Sequence, residues 1–221
     1  ILSFSSGSRL CISKGMTLFE QFCFLSLAHR KFNWEAYQGL LEHRSQIRDV
    51  HDLIEILKRL TGALLTVADF ALIEGEVLHL KQRGISWVTP ENEGYPRQFR
   101  EQQEGPLFIT YLGEPIWQTW NWLGVVGSRA PFKETSTWLD LELPPFFELG
   151  GWSILSGGAR GVDQKAHSVC LRLKRPTICV VPSGLGALYP PELSKWVEPV
   201  LRDGGCFLSG FAMNAAMAKS H

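Results

Sequence analysis

The sequence predicts a mixed α/β protein, in which a doubly wound, mostly parallel sheet follows a small helical domain. From Trp122 onward, four apolar runs recur about every 30 residues, and each runs into glycine. Polar segments that could form helices separate these runs, which is typical of right-handed strand–helix–strand units. Before residue 84, apolar residues recur instead at helical spacing, which indicates short amphipathic helices.

The first third of the chain predicts four helices, at 18–27, 34–41, 50–60 and 68–82. The fourth leads into Gly84, a residue typical of helix C-termini. We therefore assign residues 16–83 to a helical N-terminal domain. Residues 1–15 precede Met16, the first methionine, and we expect them to be a non-native or disordered leader.

Two strands are predicted next, in "GISWV" and "LFITYL", because both are rich in β-branched and aromatic residues. The four strands that end in glycine follow, in "WLGVVGS", "WSILSGG", "TICVVPSGLG" and "CFLSGF". Helices are predicted between them at 132–149, 162–173 and 191–202. Pro144 and Pro145 should interrupt the first of these helices. We assign residues 84–221 to this α/β domain.

Composition and charge exclude several classes of protein. The chain of 221 residues is 45% hydrophobic and 20% charged, and it has no apolar run of about 18 residues that could span a membrane. Its 22 basic and 22 acidic residues cancel, so only a local basic patch could hold a polyanion. The five cysteines are widely spaced without a C-x-x-C pair, which argues against a zinc site or a disulfide framework and favours a reduced, cytoplasmic setting.

The glycine turns at Gly127, Gly157 and Gly184 should converge at one edge of the sheet, since each follows a parallel strand. A glycine turn that leads into a helix exposes backbone N–H groups and the positive end of the helix dipole, and it favours an anion such as phosphate. Arg129 and Arg160 stand beside two of these turns, where guanidinium groups could clasp the anion. The chain has neither G-K-[ST] nor a complete G-x-G-x-x-G motif after these strands.

Two residues that follow the second turn each allow a structural and a functional interpretation. Asp163 is either the first-turn acid that a helix dipole favours or a ligand-binding residue. His167 shares its helix face with Asp163, and such a pair is more often structural than catalytic. No Ser-His-Asp arrangement, carboxylate pair or metal-binding cluster has a setting suited to catalysis, so we predict a binding protein rather than an enzyme, with no metal and no cofactor.

Four motifs in this order and spacing resemble the DNA-processing protein A (Smf) family: "VVGSRAP", "ILSGGARGVDQKAH", "TICVVPSGLGALYPPE" and "FLSGF". The resemblance covers roughly residues 84–211 and implies a Rossmann-like domain that binds single-stranded DNA. It also implies dimerisation, transfer of incoming strands to the recombinase RecA during natural transformation, and no enzymatic activity. The DNA phosphates would then contact Gly127, Ser128, Arg129, Ser156, Gly157, Gly158, Arg160, Gly161, Asp163, Lys165, Ser183, Gly184 and Tyr189.

The chain departs from the family after its last predicted strand. The family has S-E-Y-P or S-E-F-P where this chain has "SGFA", and it continues with an R-N-R motif, further strands and often a winged helix. The chain is therefore either truncated within this domain or a degenerate homologue, and we expect a C-terminally incomplete domain with an unpaired sheet edge at 206–211. The alternative function is a nucleotide-binding enzyme or sensor of the lysine-decarboxylase-like phosphoribohydrolase type, whose P-G-G-x-G-T-x-x-E motif "PSGLGALYPPE" distantly resembles. In that motif Pro190 replaces the acid, and Glu192 comes two positions late.

Overall fold

The computed structural model of the chain describes residues 16–217, so the expected leader at 1–15 lies outside the described residues. The chain begins with α1 (Leu18–Leu25), α2 (Trp34–Glu42), α3 (Val50–Thr61) and α4 (Val67–Gln82), and the four predicted helices are confirmed. At the start of α1, the Thr17 side chain and the N–H of Glu20 form one half of a capping box, and the Glu20 carboxylate accepts the N–H of Thr17. Gly62 ends α3 in the left-handed conformation that glycine adopts most easily.

The second part of the chain alternates strands and helices. Its elements are β1 (Ser86–Val88), α5 (Arg97–Gln102), β2 (Ile109–Gly113), β3 (Asn121–Val125), α6 (Lys133–Glu148), β4 (Trp152–Ser156), α7 (Val162–Arg172), β5 (Thr177–Val180), α8 (Val197–Arg202) and β6 (Cys206–Ser209). The predicted interruption at Pro144 and Pro145 is wrong, because α6 runs through both prolines and buries Leu139, Leu143 and Phe147 along its length. A 3-10 helix at Pro191–Trp196 takes up the first half of the helix predicted at 191–202.

The six strands form one sheet in the order β1-β2-β6-β5-β4-β3. The pairings β3–β4, β4–β5 and β5–β6 are parallel, whereas β1–β2 and β2–β6 are antiparallel. The predicted α/β fold with a mostly parallel sheet is confirmed. The expected unpaired edge at 206–211 is wrong: β6 lies inside the sheet, because Ser209 pairs with Thr110 on one side and Phe207 with Cys179 on the other.

The helices between the parallel strands cover one face of the sheet. Helices α6 and α7 pack on Ile154, with Leu123 and Val125 beside it, and Val200 of α8 belongs to the same cluster as Cys179 and Phe207. The pairing register places these strand residues on one face. Within residues 16–217, no equivalent layer of crossover helices covers the opposite face of the parallel strands. The doubly wound part of the prediction is therefore wrong, because β3, β4, β5 and β6 follow one another in sheet order and successive right-handed crossovers lie on the same face.

The buried residues of α1–α4 form one continuous cluster with Phe108, Cys179 and Phe207 of the α/β part. The helical region is therefore packed directly against the sheet. None of the helices between residues 16 and 217 is long and apolar enough to cross a membrane.

Candidate functional site

A crevice of about 590 Å³ opens where β4 and β5 end, beside the loop that follows β3. Six of the residues predicted to contact phosphate line it: Arg129, Gly157, Gly158, Arg160, Asp163 and Tyr189. Sequence reasoning missed several other lining residues, among them Pro182, Pro191 and Met217. The loops after these three strands meet at one edge, as expected for parallel strands.

The turns after β3 and β4 interlock through Gly161. The N–H of Val162 donates to the carbonyl oxygen of Ser128 at 3.1 Å, which joins the second turn to the first. Gly161 has φ +86°, and a Cβ there would collide with the carbonyl oxygen of Ser128. A Cβ at Gly127 would lie 2.7 Å from Cγ2 of Val162. These two glycines are therefore needed so that the turns can pack against each other.

Asp163 interacts with both of the interlocked turns. Its side chain is buried, and its carboxylate interacts with backbone groups of Ala159 and Gly127. Burial raises the pKa of this carboxyl, while the backbone hydrogen bonds and the charge of Arg129 act in the opposite direction. A Cβ at Gly157 would lie 2.6 Å from Oδ2 of Asp163, which explains the glycine there by close packing.

His167 fixes the carbonyl of the glycine turn. Its Nε2 lies 2.8 Å from the carbonyl oxygen of Gly157, and its Nδ1 lies 2.8 Å from Oγ1 of Thr177. Burial lowers the pKa of His167 to about 4, so the ring is neutral at pH 7 and carries one proton. Because a carbonyl only accepts, that proton is on Nε2 and is donated to Gly157. His167 therefore positions the second turn.

The two arginines of the crevice differ in their partners. Arg160 forms an ion pair with Glu192, and this contact raises the pKa of Arg160 and lowers the pKa of Glu192. Arg129 is exposed and makes no ion pair with any residue in the range 16–217. An anion that enters the crevice therefore meets the charge of Arg129 directly, whereas it would compete with Glu192 for Arg160.

The other seven predicted residues are not among those that line the crevice: Gly127, Ser128, Ser156, Gly161, Lys165, Ser183 and Gly184. Ser156 is buried and donates its hydroxyl to the carbonyl of Val125 at 2.5 Å. Lys165 contacts Asp140 of α6 at 2.5 Å.

Ser183 and Gly184 lie beneath the segment that follows β6. Ser183 is fully buried, and a Cβ at Gly184 would collide with the backbone of Ala212 and Met213. Gly184 also donates its N–H to the carbonyl of Ala215 at 2.8 Å. The third glycine turn is thus packed inside the protein, and the adjacent loop reaches the crevice through Tyr189.

Across residues 16–217, no group of three or more His, Cys, Asp or Glu side chains is placed to hold a metal ion. Asp163 is the one acid among the described residues that line the crevice, and it is tied to backbone; Glu192 is paired with the lining residue Arg160. The arrangement is suited to holding an anion by charge and backbone dipoles.

The sequence profile of the family "DNA recombination-mediator protein A" matches residues 86–221. Protein Smf of Synechocystis sp. is 30% identical over 155 residues, which are 68% of this chain and 37% of that protein. DNA processing protein DprA of Bacillus subtilis is 27% identical over 116 residues, which are 51% of this chain and 38% of that protein. The chain therefore spans well under half the length of these curated relatives.

Two solved structures share the fold. DNA processing protein A from Streptococcus pneumoniae superposes with a TM-score of 0.67 at 20% identity, over 90% of this chain and 70% of that one. DNA processing protein A from Helicobacter pylori, which binds single-stranded DNA, superposes with a TM-score of 0.51 at 24% identity, over 61% of this chain and 59% of that one.

Proposed function

Because the chain belongs to the DNA recombination-mediator protein A family, we propose that it binds single-stranded DNA by holding the phosphates of the strand in the crevice. The observation that carries this proposal is the position of Arg129. Its guanidinium is exposed, lies at the end of a parallel strand beside two interlocked turns, and has no ion-pair partner within residues 16–217. A planar guanidinium in that position suits bidentate contact with a phosphate group.

The predicted contact residues divide into two roles under this proposal. Arg129 contacts phosphate directly. Arg160 contacts phosphate when its ion pair with Glu192 is broken and replaced by a contact with the DNA strand. Tyr189, which is 40% exposed on the rim, packs against the sugar of a bound nucleotide. Nine of the remaining members shape the turns: Gly127, Ser128, Ser156, Gly157, Gly158, Gly161, Asp163, Ser183 and Gly184. Lys165 instead joins α7 to α6 through its ion pair with Asp140.

The proposed cellular role is that of a DNA-processing protein, which protects incoming single strands and loads the recombinase RecA onto them in natural transformation. The names of the relatives from Bacillus subtilis and Helicobacter pylori support the DNA-processing part of this proposal. The RecA step and dimerisation are proposals that follow from the family alone.

We propose binding without turnover, and the acids of the crevice support this. A nucleotide-hydrolysing site needs a carboxylate free to act as a base or nucleophile. Asp163 is engaged with backbone groups, and Glu192 is engaged with Arg160. Incubation with nucleoside monophosphates should therefore release no free base. Release that disappears in a Glu192→Gln variant would favour the phosphoribohydrolase-type enzyme instead.

The ligand class is tested by titrating the protein with a fluorescent single-stranded oligonucleotide and competing with duplex DNA or with a mononucleotide. We expect the unlabelled single strand to compete best, because several phosphates of a flexible backbone can follow the crevice. A mononucleotide that competes as well as the oligonucleotide would indicate a small-nucleotide sensor. Equal competition by duplex DNA would contradict single-strand preference.

A further inference from the structure

A second groove, of about 1080 Å³, lies on the face of the sheet that the crossover helices leave uncovered. Trp122 and Gly124 of β3 contribute to it, with Leu155 of β4, Val180 of β5 and Leu208 of β6. The pairing register places Gly124 beside Leu155, and Val180 beside Leu208. The floor of this groove is thus an apolar strip of sheet.

Three tryptophans within six residues, Trp117, Trp120 and Trp122, form one wall of the groove. Trp117 donates its indole N–H to the carbonyl of Gly94 at 2.7 Å, and its ring meets Tyr111 edge-on at 5.1 Å. Trp122 donates its indole N–H to the carbonyl of Trp117 at 3.2 Å. These hydrogen bonds satisfy the polar atoms and hold the rings in place, as a stacking surface requires.

Trp122 lines the groove. It is half-buried, and no aromatic ring or cation packs against its face in the described part of the chain, whereas Arg175 lies over Trp120 at 5.8 Å. Beside it, a Cβ at Gly124 would meet no atom within 4 Å, so the floor next to Trp122 is free space.

The groove continues into the crevice, since Gly157 and Val180 line both. The crevice offers Arg129 to a phosphate beyond the carboxyl ends of the strands, and the groove offers aromatic rings farther along the sheet, toward the amino end of β3. These two environments match a phosphate and a base of different nucleotides in one strand. The charged groups that line the groove are Glu93, Arg97 and Arg100, with a net charge of +1 from two cations and one anion.

We propose that the groove is a base-stacking site for single-stranded nucleic acid, in which Trp122 receives a base of the strand whose phosphates lie in the crevice. This inference rests on the function proposed above. Stacking on an aromatic ring accepts every base, so the groove would add affinity without sequence preference.

The test compares a short oligothymidylate with an abasic oligomer of the same length, for the parent protein and for three variants. Trp122→Ala removes the ring. Gly124→Leu places a side chain in the space beside it, where a Cβ would meet no atom within 4 Å. Trp138→Ala is the control, since Trp138 is 57% exposed on α6 and lines neither the groove nor the crevice.

We expect the parent and Trp138→Ala to bind the oligothymidylate about tenfold more tightly than the abasic oligomer, the effect of one stacked base. Trp122→Ala and Gly124→Leu should bind both oligomers with the affinity that the parent has for the abasic one. Equal affinity of the parent for both oligomers, or a base preference that survives in either groove variant, would overturn the inference and leave phosphate binding intact.

Two further outcomes are distinguishable from these. If the parent binds neither oligomer, the proposed function fails, and the stacking site fails with it. The other outcome combines three results: the parent self-associates, Gly124→Leu abolishes the association, and no base preference is seen. A second copy of the chain then occupies the groove, and the inference is overturned.

Discussion

Replacing Gly161 by alanine should destabilise the protein by more than its backbone conformation alone can explain. Gly161 has φ +86° and ψ −124°, a conformation that costs a residue with a Cβ about 1–3 kcal/mol. The new Cβ would also collide with the carbonyl oxygen of Ser128 and lie 2.8 Å from the carbonyl carbon of Arg129. Backbone atoms cannot rotate away, so overpacking should add about 1–3 kcal/mol.

Gly150 provides the matched control for this prediction. Its φ is +85°, but a Cβ there would meet nothing within 4 Å. Urea unfolding of the parent, Gly150→Ala and Gly161→Ala gives the free energy of unfolding of each. Gly161→Ala should lose more than Gly150→Ala, because the two glycines share a positive φ but only the Cβ at position 161 meets backbone atoms. If both variants lose the same free energy, the interlock of the two turns does not exist as described.

Three further outcomes are expected. Glu192→Gln should strengthen oligonucleotide binding severalfold, because it releases Arg160 from its ion pair; an unchanged Kd would show that Arg160 does not reach the strand. The pKa of His167 is about 4 in the folded protein and about 6.5 in the unfolded chain, so as the pH falls below 6.5 the unfolded chain takes up a proton that the folded protein does not. The free energy of unfolding should therefore drop by about 3 kcal/mol between pH 6.5 and pH 4, and less so in His167→Gln; equal drops would reject this origin. Gly124→Val should raise the free energy of unfolding by about 0.5–1 kcal/mol, because a β-branched residue suits an extended strand with free space beside it. Destabilisation in urea would contradict the presence of free space beside Gly124.

Local patterns in the sequence predict most of the elements, because they depend on neighbouring residues. Helical spacing of apolar residues predicted α3 at 50–60 and α4 at 68–82, close to their observed bounds. The order of strands could not be predicted in this way. β6 is enclosed because β2, about a hundred residues earlier, pairs with it antiparallel through Thr110 and Ser209.

The candidate site shows the same division between local and long-range information. The glycine turns and Arg129 were visible in the motifs, since a turn at the end of a parallel strand needs glycine for reasons of backbone shape. The contacts that explain those glycines are tertiary: Gly161 packs on Ser128, and Gly157 on Asp163. The tryptophan wall had a signal in the spacing of "WQTWNW", but only the uncovered sheet face reveals it as the side of a groove.

The central claim, that Arg129 holds a phosphate of single-stranded DNA, is tested most directly by the salt dependence of binding. The affinity for a short oligothymidylate is measured over a range of salt concentrations for the parent, Arg129→Ala, Arg129→Lys and the control Arg30→Ala, whose exposed side chain lies between α1 and α2. Loss of one phosphate contact should weaken binding of Arg129→Ala to all sequences alike and lower the slope of log affinity against log salt by about 0.7. Arg129→Lys should recover part of the affinity, and Arg30→Ala should match the parent. An Arg129→Ala variant that binds as tightly as the parent, with the same slope, would contradict the claim.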